Sequence, residues 1–188
     1  PKATHIRAQF QLKKPLRNLE LVFNDQRTFG WLSIEELTNN VPTSAQHIAP
    51  DPFDPLFDKP ATVKNYLRRN IKIKTALLNQ EIMSGVGNIY ASESLFRARI
   101  NPKTAANKVT KSQCARLVLE IKATLSEAIE AGGSSLRDFF GADGNPGYFQ
   151  QTYFVYGRTN EPCQVCQKPI LQIKQGQRST FYCRHCQR

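Results

Sequence analysis

Polar and apolar positions alternate over residues 4–10, and the short apolar-rich runs at 19–23 and 29–32 read as two further strands. A period of two marks a strand with one buried face, so, counting the two runs, three strands are predicted, with Asn24 and Asp25 punctuating the last two. From Pro60 the period changes. Val63, Tyr66, Leu67 and Ile71 share a helical face, residues 73–80 read as a short helix, and residues 88–98 as another that stops before Asn101 and Pro102. The clearest helix covers 111–131. Cys114, Leu117, Val118, Ile121, Leu125, Ala128 and Ile129 form its apolar stripe, Thr110 and Gln113 its capping box, and Gly132 and Gly133 its stop. One more short helix is predicted from Ser134, then a loop over 141–147.

These periods make an α+β chain. Three strands with one apolar face need a second sheet, so residues 1–48 read as the last strands of a β-sandwich whose beginning lies outside the sequence. Pro50, Pro52 and Pro55 mark a linker over 49–59. A helical domain follows over 60–150, and a small β-hairpin domain over 151–188.

Two Cys-x-x-Cys pairs, Cys163 with Cys166 and Cys183 with Cys186, frame that last domain. Four thiolates at this spacing suit one structural Zn2+, with residues 171–174 and 179–182 as a hairpin around a turn at Gln175 and Gly176. Two disulfides in a secreted domain are the alternative. The odd fifth cysteine, Cys114, and the lack of a secretory segment weigh against it. Cys114 lies on the apolar stripe and is expected to be a buried thiol.

Charge then narrows the partner. The net charge is +11 with a pI near 9.7, and residues 163–188 contain no acidic side chain. A polyanion is implied, nucleic acid before membrane, since no apolar run of membrane length is present. An intracellular, reducing compartment follows from the cysteine usage. Gly85 and Gly87 before the helix at Asn88 allow close backbone approach to a phosphate, with Asn88 as the cap; an ordinary tight turn is the other reading. His5, His47 and His185 form no constellation, and Glu93 reads as a surface carboxylate or a partner for a lysine.

Several segments in order resemble the formamidopyrimidine-DNA glycosylase family: Ile82–Phe96 with its glycines, the turn from Asp25 through Arg27 and Phe29 to Gly30, the linker at Ala49, the stretch 143–149, and Val155–Arg158 followed by the four cysteines. The resemblance implies a helix–two-turns–helix domain and a zinc finger. It also implies a bifunctional glycosylase and lyase acting on 8-oxoguanine and formamidopyrimidines through an N-terminal proline imine and β,δ-elimination. By match, Lys74 and Asn88 grip phosphates, Tyr156 supports the same backbone, and Arg178 of the finger contacts phosphate. Arg27 faces the orphaned cytosine, Phe29 wedges the opposite strand, and a loop with Asp143, Gly144, Gly147 and Tyr148 covers the flipped base. The expected partner is double-stranded DNA carrying an oxidised base or an abasic site, bound by a monomer in a bacterial-type cytoplasm or nucleoid.

The chain departs from the family at its start. Pro1 is followed by Lys2, Ala3, Thr4 and His5, which match a later strand rather than the family's Pro-Glu-Leu-Pro-Glu terminus. The catalytic proline and glutamate are therefore expected to lie outside these residues, leaving a DNA-binding polypeptide without a nucleophile. The alternatives are a non-catalytic module for damaged DNA, a relative of the pyrimidine-preferring endonuclease VIII type, and a zinc-ribbon RNA or ribosome-associated protein.

Overall fold

The computed structural model describes residues 3–14, 17–25, 28, 30–133 and 153–188. It contains two compact units, residues 1–44 and 45–188. The expectations placed on Pro1, Arg27, Phe29, the short helix from Ser134, and Asp143, Gly144, Gly147 and Tyr148 lie outside the described residues.

In the first unit, β1 (Ile6–Lys14) pairs antiparallel with β2 (Arg17–Asn24). Ala8 sits opposite Phe23, Phe10 opposite Leu21 and Leu12 opposite Leu19, so the alternation in sequence becomes one apolar face. Among the described residues the predicted third strand is not formed. Residues 30–36 have no regular structure, and Trp31 is 70% exposed. The reason lies one turn earlier: the Asp25 carboxylate accepts the N–H groups of Thr28 at 3.0 Å and Gly30 at 2.6 Å. A side chain that captures these donors closes a turn where a ladder would have needed them. Instead a small hairpin forms, β3 (Leu37–Thr38) with β4 (Val41–Pro42). Asn39 and Asn40, both with positive φ, are its two-residue turn.

The second unit is built on helices. A single 3-10 turn, Pro55–Asp58, is capped by Asp54 and places Phe57 in the core at 1% exposure, so the proline-rich stretch is packed. Then come α1 (Pro60–Tyr66), α2 (Ile73–Leu77), α3 (Asn88–Arg97) and α4 (Lys111–Glu130). Each helix matches a predicted one and ends short of the predicted C-terminal residue, α3 and α4 by one position only. Leu67 and Ile71 fall beyond the end of α1, yet still pack on the same core as Val63, Leu77, Leu95 and Leu117. The capping box on α4 is made in both directions: Thr110 Oγ1 accepts the Gln113 N–H at 3.2 Å, and Gln113 Oε1 accepts the Thr110 N–H at 2.9 Å. Cys114, Leu117, Val118, Ile121 and Ala128 are buried as expected, but Ile129 is 70% exposed. It lies one position past Ala128, on the solvent side of the stripe.

The chain ends in a two-stranded hairpin, β5 (Leu171–Gln175) and β6 (Arg178–Tyr182). Its turn is Gly176 and Gln177, one residue later than expected, both with positive φ. Such a turn matches the twist of the strands it joins, and glycine adopts that geometry without the steric cost of a Cβ. A second small core of Phe96, Val155, Ile170 and Phe181, with Cys163 and Cys183, seats the hairpin against the end of α3.

Candidate nucleic-acid interface and metal centre

The four predicted metal-ligating cysteines meet. Their sulfurs all lie within 4.8 Å of one another, with Cys163 and Cys186 3.9 Å apart and Cys166 and Cys183 3.4 Å apart. None is in a disulfide. A tetrahedral ion with Zn–S bonds of about 2.3 Å needs sulfurs about 3.8 Å apart, so the donor set fits zinc in both chemistry and spacing. The thiols differ in their environments. The Lys168 backbone N–H lowers Cys166 to about 7, whereas burial and then the neighbouring thiols push Cys186 up to about 12. Four sulfurs this close cannot all ionise without a cation between them, so metal binding and proton release are one event.

The hairpin is tied to the helices at both ends. At the cysteine end, the buried Gln187 side chain accepts the Cys183 N–H at 2.9 Å and donates to the Ile100 carbonyl at 2.9 Å. Asn101 Nδ2 donates to the Gln187 carbonyl at 3.2 Å. At the turn end, Lys74 Nζ donates to the Ser179 carbonyl at 2.7 Å and to Thr180 Oγ1 at 2.8 Å. Asn88 Nδ2 donates to the same Ser179 carbonyl at 3.1 Å and to Tyr156 Oη at 3.3 Å. Two residues picked out by sequence, Lys74 and Asn88, therefore converge on one hairpin carbonyl, and a third, Tyr156, joins them through Asn88. The fourth, Arg178, is the next residue along and is exposed.

Lys74 is 1% exposed. Burial, with Arg178's charge nearby, lowers it to about 8. An ammonium carries three N–H groups and two are used here, leaving one for a ligand. Asn88 does not cap α3. Gly87 is the N-cap residue, and Asn88 is the first residue of the helix with its side chain turned to the finger. Both of its N–H groups are used, and Oδ1 is buried without a partner among the described residues. Between the α2–α3 connection and the hairpin turn lies an open cavity of about 650 Å3. Thr75, Asn79, Asn88, Gln175 and Arg178 line it with polar groups, and Gly87 and Gly176 bring backbone to its wall. In that connection Gly85 holds φ +77, which favours glycine.

Glu93 departs from its sequence reading. It is neither exposed nor paired with a lysine: it is 1% exposed. Its carboxylate accepts the N–H groups of Phe154 at 2.8 Å, Val155 at 3.0 Å and Tyr156 at 2.8 Å. Burial raises the carboxyl, against the opposing pull of these three donors and of Arg97. Three backbone donors on one carboxylate fix the strand of chain that enters the finger, and with it Tyr156.

Residues 48–140 match the sequence profile of the "Formamidopyrimidine-DNA glycosylase H2TH domain", and residues 160–188 that of the "Zinc finger found in FPG and IleRS". The solved MutM (Fpg) protein of Thermus thermophilus superimposes with a TM-score of 0.81 at 33% identity, covering 100% of this chain and 70% of its own. The chain belongs to the formamidopyrimidine-DNA glycosylase family. A formamidopyrimidine-DNA glycosylase of Methylobacillus flagellatus is 60% identical over 137 residues, covering 73% of this chain and 49% of that protein. The chain thus spans about half the length of that curated relative. The Lactococcus lactis family member, solved in complex with DNA containing an abasic site, matches with a TM-score of 0.75 at 32% identity over 95% of this chain and 65% of its own. The family's finger profile and the four gathered sulfurs agree on one structural zinc ion. Among the described residues, no helix is long and apolar enough to cross a membrane.

Proposed function

We propose that these 188 residues are the DNA-gripping part of a base-excision repair glycosylase for oxidised purines. The observation that carries this reading is the convergence of Lys74 and Asn88 on Ser179, next to Arg178 in the chain, with Asn88 and Arg178 lining an open cavity. In this reading a phosphate of the damaged strand enters the cavity. Lys74 offers its remaining N–H, Arg178 a planar pair of donors, and the start of α3 its unpaired backbone N–H groups. Asn88 joins by turning its amide and releasing Tyr156, whose phenol then supports the same phosphate.

The turn closed by Asp25 carries Arg27 to the orphaned cytosine and Phe29 into the opposite strand, and the loop with Asp143, Gly144, Gly147 and Tyr148 covers the extruded base. Residues 1–48, 60–150 and 151–188 serve as strand, helix–two-turns–helix and finger domains around the 49–59 linker. Zinc acts by holding the finger's shape. Excision of 8-oxoguanine and formamidopyrimidines, followed by lyase cleavage, is the work of a polypeptide that also carries the family's Pro-Glu segment. The 188 residues alone bind without cutting, as a monomer associated with DNA inside the cell. The family match and the DNA-bound relative support this reading.

The test is binding and trapping on one duplex with 8-oxoguanine opposite cytosine. Salt-sensitive binding without a borohydride-trapped adduct is expected. A covalent adduct would overturn the assignment of chemistry, and preference for RNA over duplex DNA would overturn the assignment of partner.

A further inference from the structure

The zinc hairpin has two ends, and the proposed DNA cavity uses one of them. At the other end a separate hollow of about 380 Å3 is lined by Lys168, Pro169, Leu171, Arg184, His185 and Arg188. None of these lines the cavity at the turn end. With five residues in each strand, the two ends stand roughly 15 Å apart. Lys168, Arg184 and Arg188 are exposed, and among the described residues none of them is ion-paired. Pro169 and Leu171 give the hollow an apolar floor.

We propose that this hollow is a docking site for an acidic peptide segment of a partner protein, one that presents an apolar side chain between its carboxylates. Single surface cations are usually solvated and bind nothing. Here three surround an apolar depression, in a stretch of 26 residues (163–188) without one acidic side chain. Carboxylates match the guanidinium groups of Arg184 and Arg188 in charge and shape, and an apolar side chain on Pro169 and Leu171 removes both surfaces from water.

A DNA phosphate fits this site less well. It is polar all round and would leave the floor uncovered, whereas the cavity at the turn end is lined mainly by polar side chains. The spacing of the cations is also set in advance. Lys168 follows Cys166 by two residues, and Arg184 lies between Cys183 and Cys186, so the metal-held knuckles order their backbone before a ligand arrives.

The test uses the zinc-loaded 188-residue chain and a fluorescein-labelled hexapeptide of five acidic residues around one leucine, followed by anisotropy. Joint Arg184→Glu and Arg188→Glu substitution is expected to weaken binding by about tenfold or more. Replacing the peptide's leucine by serine should cost about fivefold. A saturating duplex should change the affinity by less than about twofold, because 15 Å exceeds the screening length at physiological salt. Arg178→Ala should weaken duplex binding and leave the peptide unaffected. Displacement by duplex would make the hollow a DNA surface and overturn the proposal. So would indifference to the leucine, or binding that survives both charge reversals in protein that retains its zinc. If the charge-reversed protein loses zinc, the leucine and duplex measurements on the unmodified chain decide alone.

Discussion

Lys74 of α2 and Ser179 of β6 are 105 residues apart in sequence and 2.7 Å apart in space, joined by a hydrogen bond from Nζ to the carbonyl. The bond makes a helical residue part of the finger. It also gives the interface a pH response with two opposite signs. Lys74 has a value of about 8 in the fold against an ordinary 10.5. Between those values the unfolded chain holds the extra proton, so stability rises with pH through this window, by roughly 3 kcal/mol at most. The neutral amine still has two N–H groups, enough for Ser179 and Thr180. Affinity for DNA moves the other way, because a phosphate loses its cation. Urea midpoints and duplex anisotropy measured across this range should diverge in the unmodified chain, and Lys74→Met should flatten both trends.

Arg178→Ala should weaken duplex binding across all sequences and reduce the slope of log affinity against log salt by about one. Arg27→Ala should instead reduce discrimination between bases opposite the lesion. Equal loss for every opposing base would rule out the role given to Arg27.

Glu93→Gln keeps the shape of the side chain but replaces one acceptor oxygen with an N–H donor. With Val155 and Tyr156 donating to Oε1 and Phe154 to Oε2, the amide must face at least one N–H with another. A loss of about 1–3 kcal/mol is expected in urea unfolding, with zinc content unchanged.

Cys183→Ser should lower bound zinc well below one ion per chain. It should also release the Gln187 bridge, since the Cys183 N–H that anchors it is held by the knuckle. Metal analysis and thermal unfolding with and without chelator check this. Natively purified protein without zinc would overturn the metal assignment.

The features legible in sequence were the local ones. The capping box on α4, the stripe from Cys114 to Ala128 and the two cysteine pairs each depend on residues a few positions apart. What stayed hidden depends on distant or backbone partners. Glu93 binds N–H groups 61 to 63 residues downstream, and backbone donors leave no mark in a sequence. Gln187 looks like any polar residue until the Ile100 carbonyl is beside it. The missing third strand had a local signal after all: aspartate five residues before a glycine is well placed to turn the chain. The hairpin at Asn39 and Asn40 likewise had a readable signature, since asparagine tolerates positive φ.

The bonds made by Gln187 at one end of the finger and Lys74 at the other hold it to the helical unit at two separate points. If a duplex binds in the cavity at the turn end, the adjustment falls on the nucleic acid. A stiff, intact duplex must then be bent at its own elastic cost, and one already loosened by a lesion is bent more easily. A fixed finger would therefore contribute to finding damage by favouring the duplex that yields.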